Sequence, residues 1–185
     1  ASVLGTKTNN ALAPIMTLPA VPACGPPYSS NSGISGSYSY NASTGDLILS
    51  GVNIATLANG TYCFHNVTLT NSAQLKVDGP VVIKLTGALN IGGASRLCNI
   101  TGVPGNLRIL SSYSGANGVT INNGANNYMI VYAPQTGVGI SGTGRLFGGA
   151  VGKTITVSNS GAIHYDTGLR TVWPEILSLI FGPLP

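Results

Sequence analysis

The chain has 185 residues, 43% of them hydrophobic, and only 6% are charged, against roughly a quarter in ordinary soluble proteins. The net charge is +4, but the basic residues are scattered singly from Lys7 to Arg170, so the basic patch that nucleic acid or an anionic membrane would require is not visible. One domain of ordinary size fits this length, and the best apolar run, "ILSLIF" from Ile176, falls far short of the roughly 18 residues of a membrane span.

Taken in chain order, residues 1–45 hold "ALAPIMTLPAVPACGPPYSS", whose spaced prolines forbid helix and favour an extended path. This span reads as a strap, and the chain opens at Ala1 as a processed secreted protein would. Its apolar residues Leu12, Ile15, Met16, Leu18 and Val21 are too many for a free tail in water. Either they pack along their own domain or they dock on a neighbour.

Residues 46–170 repeat one phrase. "NVTLTNSAQL" from Asn66, "ALNIGGASRL" from Ala88, "GVTINNGANN" from Gly118, "GVGISGTGRL" from Gly137 and "TITVSNSGAI" from Thr154 each set two apolar residues two apart, then small polar residues and glycine. Period 2 argues strand, with Val67 and Leu69, Leu89 and Ile91, Val119 and Ile121, Val138 and Ile140, and Ile155 and Val157 facing inward. Second strands follow at "TYCFH" from Thr61, "PVVIKLT" from Pro80, "NLRILSS" from Asn106 and "NYMIVYA" from Asn127. Internal repeats of this character, stacked like on like, predict an all-β, single-domain β-solenoid in place of a β-sandwich. "CNITGVPGN", residues 98–106, reads as a loop thrown out of one coil. Residues 171–185, "TVWPEILSLIFGPLP" with Arg170 before them, predict a short helix starting at Pro174 and serving as a cap or docking segment.

The stretch "MIVYAPQTGVGISGTGRLFGGAVGKTITVSNSGAIHYDTGL", from Met129 to Leu169, resembles a β-solenoid domain found at the C-terminal end of bacterial pilus-assembly-like (PilX-type) and other secreted surface proteins. The resemblance spans roughly residues 62–169. It implies an extracellular or cell-surface location and a structural role, and it transfers no catalytic residue.

Solenoid lyases and hydrolases need clustered carboxylates, whereas the acidic inventory here is Asp46, Asp78, Asp166 and Glu175. Asp46 opens a coil, Asp78 sits in a "DGP" turn, and Glu175 suits the first turn of a helix. "HYD", residues 164–166, offers His164 beside Asp166 with no nucleophile elbow and no second histidine nearby, and His65 lies in a distant strand. "GGAVGKT" lacks the glycine spacing of a phosphate loop and runs from strand to strand. No catalytic residue, metal site or cofactor is therefore expected. Cys24, Cys63 and Cys98 allow one disulfide and one leftover thiol, without choosing the pair, and match no metal-ligand spacing.

The expectation is a secreted, non-enzymatic structural protein that polymerises with copies of itself in an extracellular filament or surface layer. Leu12, Ile15, Leu18, Val21, Trp173, Ile176, Leu177, Ile180 and Phe181 are the candidate self-association residues. Asn41, Asn59, Asn66 and Asn99 fit the N-glycan acceptor pattern, with Asn99, in the ejected loop, the foremost. A carbohydrate-binding or carbohydrate-active solenoid is the alternative, with Tyr28, Tyr38, Tyr40 and Tyr113 as candidate stacking residues. Ice binding is a minor one, because the outward ladder Thr68, Asn90, Thr120, Gly139, Thr156 repeats threonine on alternate rungs only.

Overall fold

A computed structural model describes residues 18–22, 24–28 and 32–169. Residues 32–169 form a β-solenoid of about six turns, each turn laying strands on up to three faces. Two short strands come first, β1 (Ile34–Gly36) and β2 (Ser39–Asn41). The first coil is β3 (Asp46–Leu49), β4 (Ile54–Leu57) and β5 (Gly60–Phe64), and the second is β6 (Val67–Leu69), β7 (Gln74–Val77) and β8 (Val81–Leu85). The third is β9 (Leu89–Gly93), β10 (Arg96–Asn99) and β11 (Leu107–Ser111). From there β12 (Val119–Asn123) leads into two long strands, β13 (Asn126–Gly142) and β14 (Arg145–Val157), which bend round the corners, and β15 (Ala162–Tyr165) ends the stack.

The repeated phrase is one rung of this ladder. Val67, Leu89, Val119, Val138 and Ile155 lie in parallel register on the first face, joined by Leu47 of β3 in front of them. The polar half of each phrase is the corner. Asn53, Ala73, Ser95, Gly144 and Gly161 donate N–H to Ser50, Thr70, Gly92, Ser141 and Ser158 O, at 3.0 to 3.3 Å. The residue after each acceptor, Gly51, Asn71, Gly93, Gly142 and Asn159, takes a left-handed φ between 55° and 69°. Glycine and asparagine tolerate that conformation, so the corner restricts which residues the phrase can carry.

The same stacking explains the third face, where Tyr62, Ile83, Ile109 and Val131 share one column. Alternate residues of β8, Val81, Ile83 and Leu85, are buried, while Val82 and Lys84 between them are half-buried. Apolar columns from the three faces fill one continuous core.

At both ends of a solenoid the last strands have an edge without a further rung to pair with. At the N-terminal end, β1 pairs antiparallel with β4 and β2 with β3, so residues 34–41 are edge strands inside the span read above as strap. Strands of three residues each leave little edge to pair with another chain. Ring packing seals the interior there: Tyr40 meets Phe64 edge-on at 5.9 Å and Tyr62 stacks on it at 5.9 Å.

The ejected loop is shorter than expected. Cys98 and Asn99 belong to β10, and the loop proper, residues 100–106, ends in a 3-10 turn, Pro104–Asn106. Pro104 packs near Gly148, whose φ of 142° lies in a region other residues avoid and whose added Cβ would stand 2.1 Å from Met129 O. Gly148→Ala is therefore expected to lower stability by at least about 2 kcal/mol, read as a fall in the denaturant midpoint. An unchanged midpoint would show that the backbone there relaxes freely.

Candidate functional site

The strap residues that are described run along the outside of the third face. Cys24 is bonded to Cys63 of β5, and Tyr132 of β13 donates its hydroxyl hydrogen to Pro19 O. Pro19 and Cys24 thus lie over β13 and β5, with β11 and β8 between them, three strand spacings of about 4.8 Å each. Leu18 and Val21 pack with Leu110, Tyr132, Val82 and Val151, so these two candidate association residues are spent on their own solenoid. The strap runs against the order of the coils, and residue 18 lies at the level of β13 and β14. Leu169, buried against Gly149 of β14, ends the described chain at the same end. Leu12, Ile15, Trp173, Ile176, Leu177, Ile180 and Phe181, and the helix expected at Pro174, lie outside the described residues.

Among the described residues no further rung covers that C-terminal end. Ile155 and Val157 stand in register with Val138 and Ile140, which are 1% and 0% exposed, yet each is itself 46% exposed.

The polar candidates disperse. His164 points outward and stacks on Phe147 at 4.5 Å, while Asp166 Oδ1 accepts from Gly168 N at 2.9 Å and closes a turn. His65 Nδ1 meets Thr86 Oγ1 at 3.0 Å. Burial alone would raise the Asp46 pKa, but hydrogen bonds from Thr44 and Asn66 and the nearby His65 hold it below the usual carboxylate value. Asp46, Asp78 and Asp166 occupy the first, second and last coils, and no group of three metal-ligating side chains occurs among the described residues.

Of the sequons, Asn99 is buried and its Nδ2 donates to Val103 O and Tyr128 O, so a glycan there would break both bonds and open the core. Asn66 is similarly engaged, donating to Asp46 and accepting from Ala88 N. Asn41 and Asn59 are exposed. This reverses the order expected from loop position. The four tyrosines singled out for stacking are occupied too: Tyr28 with Thr86 and His65, Tyr38 and Tyr40 against the core, Tyr113 against Gly115 and Gly118.

A different surface carries a ladder of half-buried and exposed rings beside cationic groups. On the outside of the second face, Tyr128, Phe147 and His164 occupy successive rungs and stack at 4.9 and 4.5 Å. Alongside runs a second column in which Gln74 is level with Arg96, and Asn126 with Arg145. The face is not continuous. Its sheet, β1-β4-β7-β10, ends at β10, and side-chain amides bridge the seam: Asn99 Nδ2 donates to Tyr128 O of β13 at 3.0 Å, and Asn123 Nδ2, at the end of β12, donates to Ser95 O in the corner before β10 at 3.0 Å. The corner before β13, "NNGAN" from Asn122, differs from the others: it has no left-handed residue, and Asn123 and Asn127 are buried and bonded to each other. A cleft of about 370 Å³ opens at this seam, lined by Arg96, Cys98, Asn99, Asn126 and Tyr128 among others. Burial raises the Cys98 pKa although Arg96 and Lys76 pull it down, so the free thiol stays protonated at neutral pH and is a poor nucleophile. Sequence reading missed this surface because its members are 18 or so residues apart and become neighbours only in the register of the coils.

The class defined by these coils is the parallel β-solenoid. Within it, residues 104–172 match the model of a family described as a domain of unknown function, DUF7305, which takes in the last three coils. No curated protein and no solved structure gives a significant match to the chain. No helix among the described residues is long and apolar enough to cross a membrane.

Proposed function

We propose that the chain is a secreted structural protein, an extracellular filament or surface-layer subunit that joins to copies of itself through its C-terminal end. The observation that carries this reading is the half-exposed pair Ile155 and Val157, set in the register of core residues at the end of the solenoid where the described residues Leu18 and Leu169 also lie. Apolar surface left open on a terminal rung is relieved by covering it, and a parallel edge invites a further chain. The low charge offers little repulsion, and a disulfide suits an oxidising compartment. The resemblance read from the sequence of residues 129–169 to secreted surface solenoids supports the same reading. Because β1 and β2 blunt two faces of the other end, the C-terminal contact by itself makes pairs, and a filament needs a second surface, for which the β5 edge is the one strand of the first coil without an outer neighbour among the described residues.

Sedimentation of the intact chain over a wide concentration range tests the reading. Association is expected, and Ile155→Lys combined with Val157→Lys is expected to shift it at least about tenfold in concentration. Deleting residues 172–185 is expected to leave a folded β-rich protein that no longer assembles. An intact chain that stays monomeric throughout, with a truncated chain that unfolds, would make the segment a private cap and end the proposal.

A further inference from the structure

The seam cleft has no counterpart between the other coils of the second face, where the strands pair directly. We infer that it binds an acidic sugar residue of a polyuronate chain, with Tyr128 as the stacking platform, Arg96 as the carboxylate partner, and the glycan running along the solenoid axis towards Arg145.

Tyr128 has one ring face covered by Phe147, and its own column continues across the seam to Cys98, which is too small to cover the other face. A phenol face beside a cleft with a hydroxyl at its rim suits the C–H face of a pyranose, which is apolar in the middle and polar at its edges. Polar groups converge on the same space. Arg96 and Asn126 are exposed at the rim and supply a guanidinium fork and an amide. Guanidinium matches a carboxylate with two parallel hydrogen bonds.

Charge and spacing select the occupant. Arg96 lines the cleft together with Asn126, which is level with Arg145 on the next rung, so the two cations lie on either side of Asn126 and more than one strand spacing of about 4.8 Å apart along the axis, within reach of separate residues of one extended glycan. Neither arginine forms an ion pair with a described residue, and Lys76 adds a third cation in the aromatic column. Among the described residues the carboxylates near this face by position are Asp78, in the turn after β7, and Asp166, after β15, and each lies at an end of the face, beyond Lys76 or His164 and away from the cleft. The face is therefore cationic where the net charge of the whole chain is small. Single-stranded nucleic acid also favours cations and rings, but it needs a platform for each successive base. Here Phe147 is stacked between Tyr128 and His164, so the ladder offers ring faces at its two ends alone, Tyr128 at the cleft and His164 at the far end, and edges between them.

This site stands apart from the end-on association. Calorimetric titration of the intact protein with oligogalacturonate and oligomannuronate, at low and at physiological salt, tests it, with methyl-esterified oligogalacturonate and oligothymidylate as comparators. At least one uronate oligomer is expected to bind, the methyl ester to bind at least about tenfold more weakly, and Arg96→Gln and Tyr128→Ala each to weaken binding by about tenfold. Arg96 is exposed, so its variant folds whatever becomes of the tyrosine variant. Failure of both uronates to bind, equal binding of the ester, binding of oligothymidylate in preference, or undiminished binding by Arg96→Gln would each overturn the assignment.

Discussion

Removing the disulfide, by Cys24→Ala with Cys63→Ala, is expected to lower the unfolding free energy by about 4 kcal/mol. The two cysteines are 39 residues apart in sequence, and closing a loop of that size restricts the unfolded chain by an amount between those of 15- and 100-residue loops, about 3 and 4.7 kcal/mol on the chain-entropy account. The native state loses an anchor as well. The tie pins the strap where residues 18–28 cover Leu110 and Tyr132, and the outward side of the third face is apolar there because the strap covers it. Urea unfolding with and without reductant measures the effect, with Cys98→Ser in the background so that thiol exchange does not blur it. Limited proteolysis reports the strap separately, and cleavage before residue 32 is expected to precede any cut in the coils once the bond is gone. Coincident midpoints in the oxidised and reduced states would mean that the strap holds by packing alone.

The solenoid was legible because its coils obey a local rule. Period 2 puts Val67 and Leu69 inward, the turn residue must be glycine or asparagine, and stacking like on like does the rest, so five rungs announced themselves. Leu47 and Leu49 form a rung of the same column. Their corner carries Gly51 without the run of small polar residues that marks the others, so the phrase broke off early. The antiparallel strands β1 and β2 were hidden for another reason: they are three residues long, and a capping strand has no repeat to belong to. Asn99 misled because a sequon beside Gly and Pro looks like a surface turn, whereas its side chain spans the seam between two coils. The aromatic ladder lay beyond reach altogether. Tyr128, Phe147 and His164 become a surface once the register is known, and residue spacing alone does not supply it.

One substitution made on two neighbouring rungs distinguishes an open end from a covered one. Ile140→Ala is expected to cost about 2–5 kcal/mol, since Ile140 is fully buried between Ile121 and Val157 in its column and the cavity would be lined by rigid neighbours. Ile155→Ala, at the adjacent column of the next rung, removes the same atoms from a side chain that is 46% exposed. In dilute, dissociated protein its cost is expected to stay below about 1.5 kcal/mol, because half of that surface is already in water and the cavity term disappears at an edge. Coils in a solenoid couple mainly to their neighbours, so the interior defect weakens the stack on both sides while the terminal one frays a single rung. At concentrations where the chains associate, the cost of Ile155→Ala is expected to rise towards that of Ile140→Ala, since the contact would then bury it. Thermal or urea unfolding of both variants at two protein concentrations supplies the comparison. Equal, concentration-independent losses for the two variants would mean that residues 170–185 of the same chain already cover Ile155, and the C-terminal end would then be a sealed surface with nothing to offer a second copy.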